Sequence, residues 1–280
     1  MALYASDGEQ IVSAFDGNPH ANYWCLECDL PVKLRRARRR LPHFYHLQLS
    51  PSCRLYSKSE DHLLLQLQLQ SLFPQGEAHI ERTFPDLRRI SDVVWEKEKI
   101  AFEIQCSQIF PLEVTRRVEE YKSAGYQVVW LLDDRVYNKR ILRPAETLMR
   151  QQVGYFISFH RHQPSLFYDQ FEVLSERRRH LKGRPLAIQL LRPRLFPPLE
   201  IPLTWPLQIQ KKIATHTPFF PGDRLDRALK SSIYPSYAFT LDKWAMLEKK
   251  FRRNPILEWW KKWIAKPISK RLDLWITHWH

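Results

Sequence analysis

The residues best suited to chemistry lie on two apolar segments that flank a charged turn at Lys97 and Glu98. A β-hairpin with its turn centred there places Asp92 directly opposite Glu103. Opposed residues of a hairpin have Cβ atoms about 4.5–5.5 Å apart on one face of the sheet. Gln105 projects to the same face as Glu103, because side chains alternate along a strand. The pattern therefore predicts two carboxylates and an amide around one point.

Such a set of oxygen ligands suits Mg²⁺ or Mn²⁺, which prefer carboxylate, carbonyl and water oxygens. The neighbouring residues are apolar, and carboxylates in apolar surroundings are costly unless they are paired or bind a metal. We therefore predict that Asp92 and Glu103 bind a divalent cation. The alternative is that both are exposed carboxylates on a solvated face of the sheet.

A second candidate metal site lies near the N-terminus, where Cys25, Cys28, His43, His46 and Cys53 offer five soft ligands. A Cys-x2-Cys pair presents two thiolates to one tetrahedral ion, and a later His and Cys can close the site. We predict a structural zinc bound by Cys25, Cys28, His46 and Cys53, with His43 as the alternative histidine. A metal-free module with small, apolar cysteines remains open.

Charge is distributed unevenly along the 280 residues, which have a net charge of +14. Residues 151–280 hold 23 Lys and Arg against 10 Asp and Glu, a net charge of +13. A basic region of this size favours a polyanionic partner, either nucleic acid or an anionic membrane surface. The four cysteines are too few for a disulfide scaffold and suit a reducing compartment.

The sequence also bears on cellular location. The first ten residues include Asp7 and Glu9 and lack the apolar segment of a secretory signal. No apolar run approaches the ~18–20 residues that a transmembrane helix needs. We therefore expect a cytoplasmic protein without a transmembrane segment.

Residues 58–150 show the alternation of elements typical of an α/β unit. Ser59 can cap a first helix, and Pro111 opens a second helix for which Gly125 is the expected end. The apolar run 126–132 is typical of a buried parallel strand. With three strands between the helices, the predicted order is αβββαβ with a mixed sheet. We accordingly divide the chain into a Cys/His, zinc-binding-like module (1–57), this α/β core (58–150) and a basic, Trp-rich, mainly helical C-terminal region (151–280).

Several basic clusters are candidates for contacts with phosphates, which give affinity without sequence preference. The candidates are Arg35, Arg36, Arg38, Arg177, Arg178, Arg179, Lys249 and Lys250. The interleaved C-terminal tryptophans could stack on unpaired bases or pack in a core. A solvated basic loop and a Trp/Lys helix lying on an anionic membrane are further alternatives.

Three motifs resemble the competence protein CoiA-like family of the PD-(D/E)XK nuclease superfamily. They are Ser-Glu-Asp-His-Leu at 59–63, Arg-Ile-Ser-Asp-Val at 89–93 and Phe-Glu-Ile-Gln-Cys-Ser at 102–107. The Cys/His pattern also fits the N-terminal module of that family, so the resemblance covers roughly residues 1–140. It implies a restriction-endonuclease-like core in which Glu60 is an accessory acid, Asp92 and Glu103 are the metal ligands, and Gln105 stands where Lys is usual.

The resemblance implies a metal-dependent nuclease that acts on DNA in uptake, recombination or repair. Single-stranded or branched DNA and recombination or competence proteins are the expected partners. Gln105 is a departure, because a lysine can stabilise developing charge whereas a neutral amide can only orient by hydrogen bonds. A non-catalytic nucleic-acid-binding scaffold is therefore the main alternative, and a membrane-surface adaptor is a weaker one.

Overall fold

The N-terminal residues form a small antiparallel sheet of five short strands. The computed structural model describes residues 1–175, 177–196, 202–215 and 217–252. The five strands are β1 (Tyr4–Ser6), β2 (Ile11–Ser13), β3 (Tyr23–Trp24), β4 (Pro31–Ala37) and β5 (Arg40–His46), in the order β2-β1-β3-β4-β5. Tyr23, Phe44 and Leu55 pack with Cys25 and Cys53 in its core. This core is small, which is the situation in which a metal adds most to stability.

The first helix, α1 (Glu60–Gln70), begins as the sequence predicts. The hydroxyl of Ser59 accepts a hydrogen bond from the backbone N–H of His62 at 3.2 Å, and such a side-chain cap satisfies a donor that the helix leaves unpaired. Leu63, Leu65 and Leu69 are fully buried. The leucines between residues 63 and 69 alternate as in a strand and also fit one face of a helix, and the structure shows that they form a helix.

A seven-stranded mixed sheet forms the centre of the molecule. Its strands are β6 (Ala78–Ile80), β9 (Val93–Trp95), β10 (Ile100–Gln105), β11 (Gln127–Asp133), β12 (Val153–Ser158), β13 (Leu166–Asp169) and β16 (Leu186–Ala187), and the strands β7 (Thr83–Phe84) and β8 (Arg89–Ile90) form a separate pair. The order across the sheet is β16-β13-β12-β11-β10-β9-β6. Only the pairs β10–β11 and β11–β12 are parallel, so the sheet has the mixed character that the sequence predicts.

The hairpin β9–β10 has the predicted register. Trp95 pairs with Ile100, and Val93 pairs with Phe102. Strand β9 begins only at Val93, however, so Asp92 lies just outside the ladder. On the other side of the hairpin, the backbone at Asp92 extends the pairing of β9 with β6, because the N–H of Glu81 donates to the Asp92 carbonyl at 3.1 Å.

Two helices, α2 (Pro111–Ser123) and α3 (Pro144–Gln151), cover the face of the sheet opposite α1. Pro111 is the first residue of α2, as predicted. Gly125 follows the helix with a φ of 79°, a left-handed conformation that glycine adopts without steric cost. From α1 to β11 the elements follow the predicted αβββαβ order, with the short β7–β8 pair inserted.

The central sheet continues past residue 150. Strand β12 pairs in parallel with β11, so the predicted boundary between residues 150 and 151 falls inside one sheet. The hairpin β14 (Glu172–Ser175) and β15 (Arg178–Lys182) follows before the helices α4 (Leu207–Ala214), α5 (Arg224–Leu229) and α6 (Pro235–Arg252). The predicted helical character therefore applies only beyond the strands that occupy 153–187. The part of that prediction on 253–280 lies outside the described residues.

A buried network of charges joins the last helices to the sheet. Asp169, at the end of β13, is fully buried. One of its oxygens accepts from Arg150 at 2.9 Å and the other accepts from Arg224 at 2.9 Å. Glu172 also binds Arg150 at 2.9 Å and Arg179 at 2.7 Å. Because Arg150 belongs to α3 and Arg224 to α5, these acids hold the sheet and the C-terminal helices together.

The electrostatics of Glu172 show how strongly this network is paired. Burial alone would raise the pKa of its carboxyl group. The charges of Arg150, Arg179 and Arg224 outweigh burial and lower the pKa to about 2. Glu172 is therefore an ionised carboxylate inside the protein, and it depends on these arginines.

Candidate nuclease site and zinc site

Asp92 is surrounded by side chains of α1. His62 and Gln66 lie one helical turn apart and therefore face the same direction. The Nε2 atom of His62 lies 2.9 Å from Oδ1 of Asp92, and the Gln66 amide donates to the same oxygen at 3.1 Å. His62, which the resemblance places in a family motif, thus contacts the predicted metal ligand directly.

The other contacts of Asp92 come from its own hairpin and from the residue before the helix cap. Its Oδ2 accepts from the backbone N–H of Ile104 at 2.8 Å, so the carboxylate continues the ladder where β9 has not yet begun. The ammonium of Lys58 lies 2.8 Å from Oδ1. Burial would raise the pKa of Asp92, but the interactions with His62 and Lys58 outweigh it and hold the pKa well below its usual value.

Glu103 is nine-tenths or more buried and faces α2. Its Oε2 accepts from Arg117 at 2.5 Å, and its Oε1 accepts from the Tyr121 hydroxyl at 2.5 Å. Arg117 also binds Glu113 at 2.9 Å. The carboxylate therefore has a cation and a hydroxyl from one helix as its partners.

The remaining two predicted residues, Gln105 and Glu60, form hydrogen bonds with other groups. The Gln105 amide donates to the backbone carbonyl of Ser107 at 2.8 Å. The Glu60 carboxylate accepts from the backbone N–H of Leu41 at 3.1 Å and lies 3.5 Å from Arg161. Glu60 thus links α1 to the N-terminal sheet, and neither of these two contacts is with Asp92.

The donor set of Asp92 and Glu103 fits a hard divalent cation in its chemistry, since both supply carboxylate oxygens. In the part of the chain that the structure describes, however, these acids do not gather with a third Asp, Glu, His or Cys around one point. Each is already paired with groups of the protein itself, the Lys58 ammonium and the His62 imidazole at one carboxylate and the Arg117 guanidinium at the other. Binding of Mg²⁺ or Mn²⁺ here stays a prediction.

Four residues of this site carry no clear signal in the sequence, namely Lys58, Gln66, Arg117 and Tyr121. Gln66 is one of three glutamines in α1, and only the structure shows that it is the fully buried one. Lys58 offers no signal, since it lies in the turn before the helix and its partners are 23 and 34 residues further along the chain.

Lys58 also connects the site to the N-terminal sheet. Glu81, which has a left-handed backbone (φ 51°), accepts from the N–H groups of Leu3 at 3.0 Å and Tyr4 at 3.1 Å. Its other oxygen lies 3.2 Å from the Lys58 ammonium. Strand β1 is thereby linked to Asp92 through two side chains.

The cysteines and one histidine of the N-terminal module form a compact cluster. The ligand atoms of Cys25, Cys28, His46 and Cys53 all lie within 4.8 Å of one another. The sulfurs of Cys25 and Cys53 are 3.7 Å apart, and tetrahedral Zn–S bonds of about 2.3 Å place two sulfurs ~3.8 Å apart. The four residues that the sequence predicts therefore fit a structural zinc ion.

His43, the alternative histidine, lies outside this cluster. Its Nδ1 is 2.8 Å from the carbonyl oxygen of Leu41, and the residue is 2% exposed. The alternation of β5 explains the choice, because His43 and His46 are three residues apart and project to opposite faces. The structure thus favours His46 over His43.

We expect purified protein to contain about one zinc ion per chain, because three thiolates and an imidazole at these distances form a closed site. Cys53→Ser should lose the ion and lower the melting temperature, as measured by elemental analysis and thermal unfolding. Cys106→Ser, which removes a cysteine outside the cluster, should retain it. Wild-type protein that contains no zinc after purification without chelators would contradict the assignment.

Most of the predicted phosphate contacts are accessible. Arg35, Arg36 and Arg38 are exposed around the turn between β4 and β5, and the guanidinium of Arg36 donates to the Ala14 carbonyl at 3.2 Å. Further exposed candidates are Arg177, Arg178, Lys249 and Lys250.

The prediction is wrong for Arg179. Its side chain is 2% exposed and binds Glu146 and Glu172 at 2.7 Å each. A phosphate cannot reach a guanidinium enclosed in this way. Arg179 instead belongs to the buried charge network.

Comparisons with known proteins agree with the resemblance. Residues 58–174 match the family model described as competence protein CoiA, nuclease-like domain. No curated protein and no solved structure matches the chain, and the restriction-endonuclease-like topology stays a prediction. Within the described residues, no helix has both the length and the apolar character needed to cross a membrane. The match extends into β14, beyond the predicted boundary at residue 150, so the similarity to the CoiA nuclease-like domain covers residues 58–174.

Proposed function

We propose that this protein hydrolyses phosphodiester bonds in DNA with Mg²⁺ or Mn²⁺, in DNA uptake, recombination or repair. The observation that carries the proposal is the environment of Asp92 within the matched domain. This buried carboxylate is hydrogen-bonded to the backbone of Ile104, the residue that follows Glu103. Two buried acids thus adjoin one strand in a nuclease-like domain, where a structural role alone would favour apolar residues.

In this proposal the metal ion and the side chains of the protein have separate roles. A divalent ion at these carboxylates would polarise a phosphate oxygen and lower the pKa of a bound water. Asp92 and Glu103 supply the negative charge that attracts the ion, and His62 and Gln66 fix the orientation of Asp92. We assign to Lys58 the positive charge near Asp92 that Gln105 cannot supply.

A cleavage assay tests this proposal. Single-stranded, duplex and branched DNA are incubated with wild-type protein and Mg²⁺, Mn²⁺ or EDTA. We expect cutting only with a metal, and loss of cutting by about 100-fold or more in Asp92→Asn and Glu103→Gln, since these changes keep the shape but remove the charge. Glu98→Gln, in the exposed hairpin turn, is the matched control and should cut like wild type.

A non-catalytic nucleic-acid-binding scaffold is the second candidate. It is favoured by the neutral Gln105 and by the protein donors that already occupy both oxygens of Asp92. Wild-type protein that binds DNA but does not cut any of these substrates with either metal would establish the scaffold and overturn the nuclease. The recombination or competence proteins proposed as partners would then act on DNA that this protein holds.

A further inference from the structure

An open cleft lies beyond the carboxyl ends of β11 and β12 in the central sheet. It has a volume of about 410 Å³ and is lined by Asp61, Arg135, Phe159, Arg161 and the histidines at 160 and 162. Arg135 follows β11 and Phe159 follows β12, whose carboxyl ends lie beside that of β10. Clefts at the carboxyl ends of parallel strands are the usual places where ligands bind in open α/β sheets.

The cleft adjoins the candidate nuclease site through α1. Asp61 lines the cleft, and the next residue, His62, contacts Asp92. Asp61 binds Arg135 at 2.9 Å and Arg161 at 2.7 Å. A single carboxylate therefore holds two guanidinium groups at the edge of the site.

The accessible part of these ion pairs is positive. The side chains of Arg135 and Arg161 are 47% and 51% exposed. The side chain of Asp61 is 21% exposed, and the second acid bound to Arg135, Asp133, is 2% exposed. The carboxylates thus lie beneath the arginines, and a ligand that enters the cleft meets guanidinium groups.

Both arginines keep donors for such a ligand. A guanidinium has five N–H groups, and among the described residues the bonds of Arg161 use only Nε and Nη2. Nε of Arg135 donates to both oxygens of Asp133, and each Nη atom donates once, so one N–H remains on each Nη atom among the described contacts. Its guanidinium also lies 4.8 Å from the centre of the Phe159 ring, which restricts its orientation.

We propose that this arginine cleft binds a backbone phosphate of the nucleic-acid strand next to the scissile position. The inference rests on the proposed function, because it identifies how that site holds its substrate. Arginine forks match phosphate oxygens in geometry and charge. Asp61 acts as a positioning residue, because each of its carboxylate oxygens holds one of the two guanidinium groups at the cleft.

The test measures DNA binding separately from cleavage. Binding of the wild-type, Arg161→Gln and Arg135→Gln proteins to a fluorescein-labelled single-stranded DNA oligonucleotide is measured without added Mg²⁺ or Mn²⁺, over a series of salt concentrations. We expect Kd to rise about tenfold in each variant, and the slope of log K against log salt to fall by about one per arginine. Arg116→Gln removes an equally exposed charge on α2 and should change both quantities far less.

The outcomes separate this inference from the proposed function. Variants that bind DNA like Arg116→Gln overturn the arginine cleft, even if the wild type cuts DNA; a loss of thermal stability alone would show that the arginines only tie α1 to the loops. Weaker binding in Arg161→Gln, in a protein whose wild type never cuts, supports the cleft and overturns the nuclease. Thermal unfolding of each variant confirms that it is folded, and Arg161→Gln, the more exposed of the two, is the variant least prone to misfold.

Discussion

Alanine in place of Asp169 is expected to lower the free energy of unfolding by about 3–5 kcal/mol, the usual effect of removing one partner from a buried ion pair. Asp169 is fully buried and binds both Arg150 and Arg224. Without it, two guanidinium groups lose a shared counter-charge where water cannot replace it. The buried ammonium of Lys212 has no hydrogen-bond partner among the described residues and lies 3.9 Å from Asp169, so it would also lose a favourable charge.

Urea unfolding of the full chain measures this effect. Asp242→Ala, which removes an exposed carboxylate from α6, is the matched control and should stay within about 0.5 kcal/mol of wild type. Asp169→Asn keeps the shape without the charge and separates ion pairing from packing. A change below about 1 kcal/mol in Asp169→Ala would show that the network does not hold the C-terminal helices to the sheet.

The second large effect is expected at Lys58. Methionine at this position should lower the cleavage rate by about 100-fold, because it removes the only lysine ammonium within the described residues that bonds to Asp92. DNA affinity should change little, since the side chain is 10% exposed and contributes little to long-range attraction. The rate under single-turnover conditions and the Kd for DNA are measured on the same preparations.

A compensating substitution distinguishes a catalytic cation from a structural one. Gln105→Lys introduces a lysine at the position where the resemblance implies that one is usual. The double variant Lys58→Met with Gln105→Lys should therefore recover much of the lost rate. Lys58→Arg retains the ion pairs with Glu81 and Asp92 and controls for misfolding. If the double variant is as slow as Lys58→Met while Lys58→Arg cuts normally, Lys58 only supports the fold and the assignment is wrong.

The elements between α1 and β11 could be predicted because their signals are local. Ser59 caps the helix that follows it, and Pro111 begins α2. The charged turn at Lys97 and Glu98 fixed the hairpin register, because both strands continue directly from it. The Cys/His cluster could be predicted equally well, since only a few residue types form such a site and its four ligands lie within one short module.

The geometry around Asp92 could not be predicted in the same way. A regular hairpin would place this residue opposite Glu103, but β9 starts one residue later and the carboxylate bonds to the Ile104 backbone instead. Its orientation depends on His62 and Gln66, which are 30 and 26 residues away along the chain. No periodicity in the sequence reports such a contact.

The buried charges in the C-terminal region were missed for a related reason. Arg179 follows two exposed arginines, so its local sequence is that of an exposed basic cluster. Only its contacts with the distant Glu146 and Glu172 show that it is buried. Strand β12 resembles β11 in its apolar character, yet a high net charge downstream suggested a separate region. The composition of a segment can indicate a charged surface, but it does not show which charged residues form buried ion pairs.

The contacts from β1 through Glu81 and Lys58 to Asp92 bear on how this protein can evolve. A gene fragment that encoded only the nuclease-like domain would leave Glu81 without its two backbone donors, a buried carboxylate with a single partner. Exchange of the domain alone between relatives would therefore carry a penalty that exchange of both parts together avoids. The unit of inheritance is expected to be the N-terminal module and the domain as one piece, whatever boundary a sequence motif suggests.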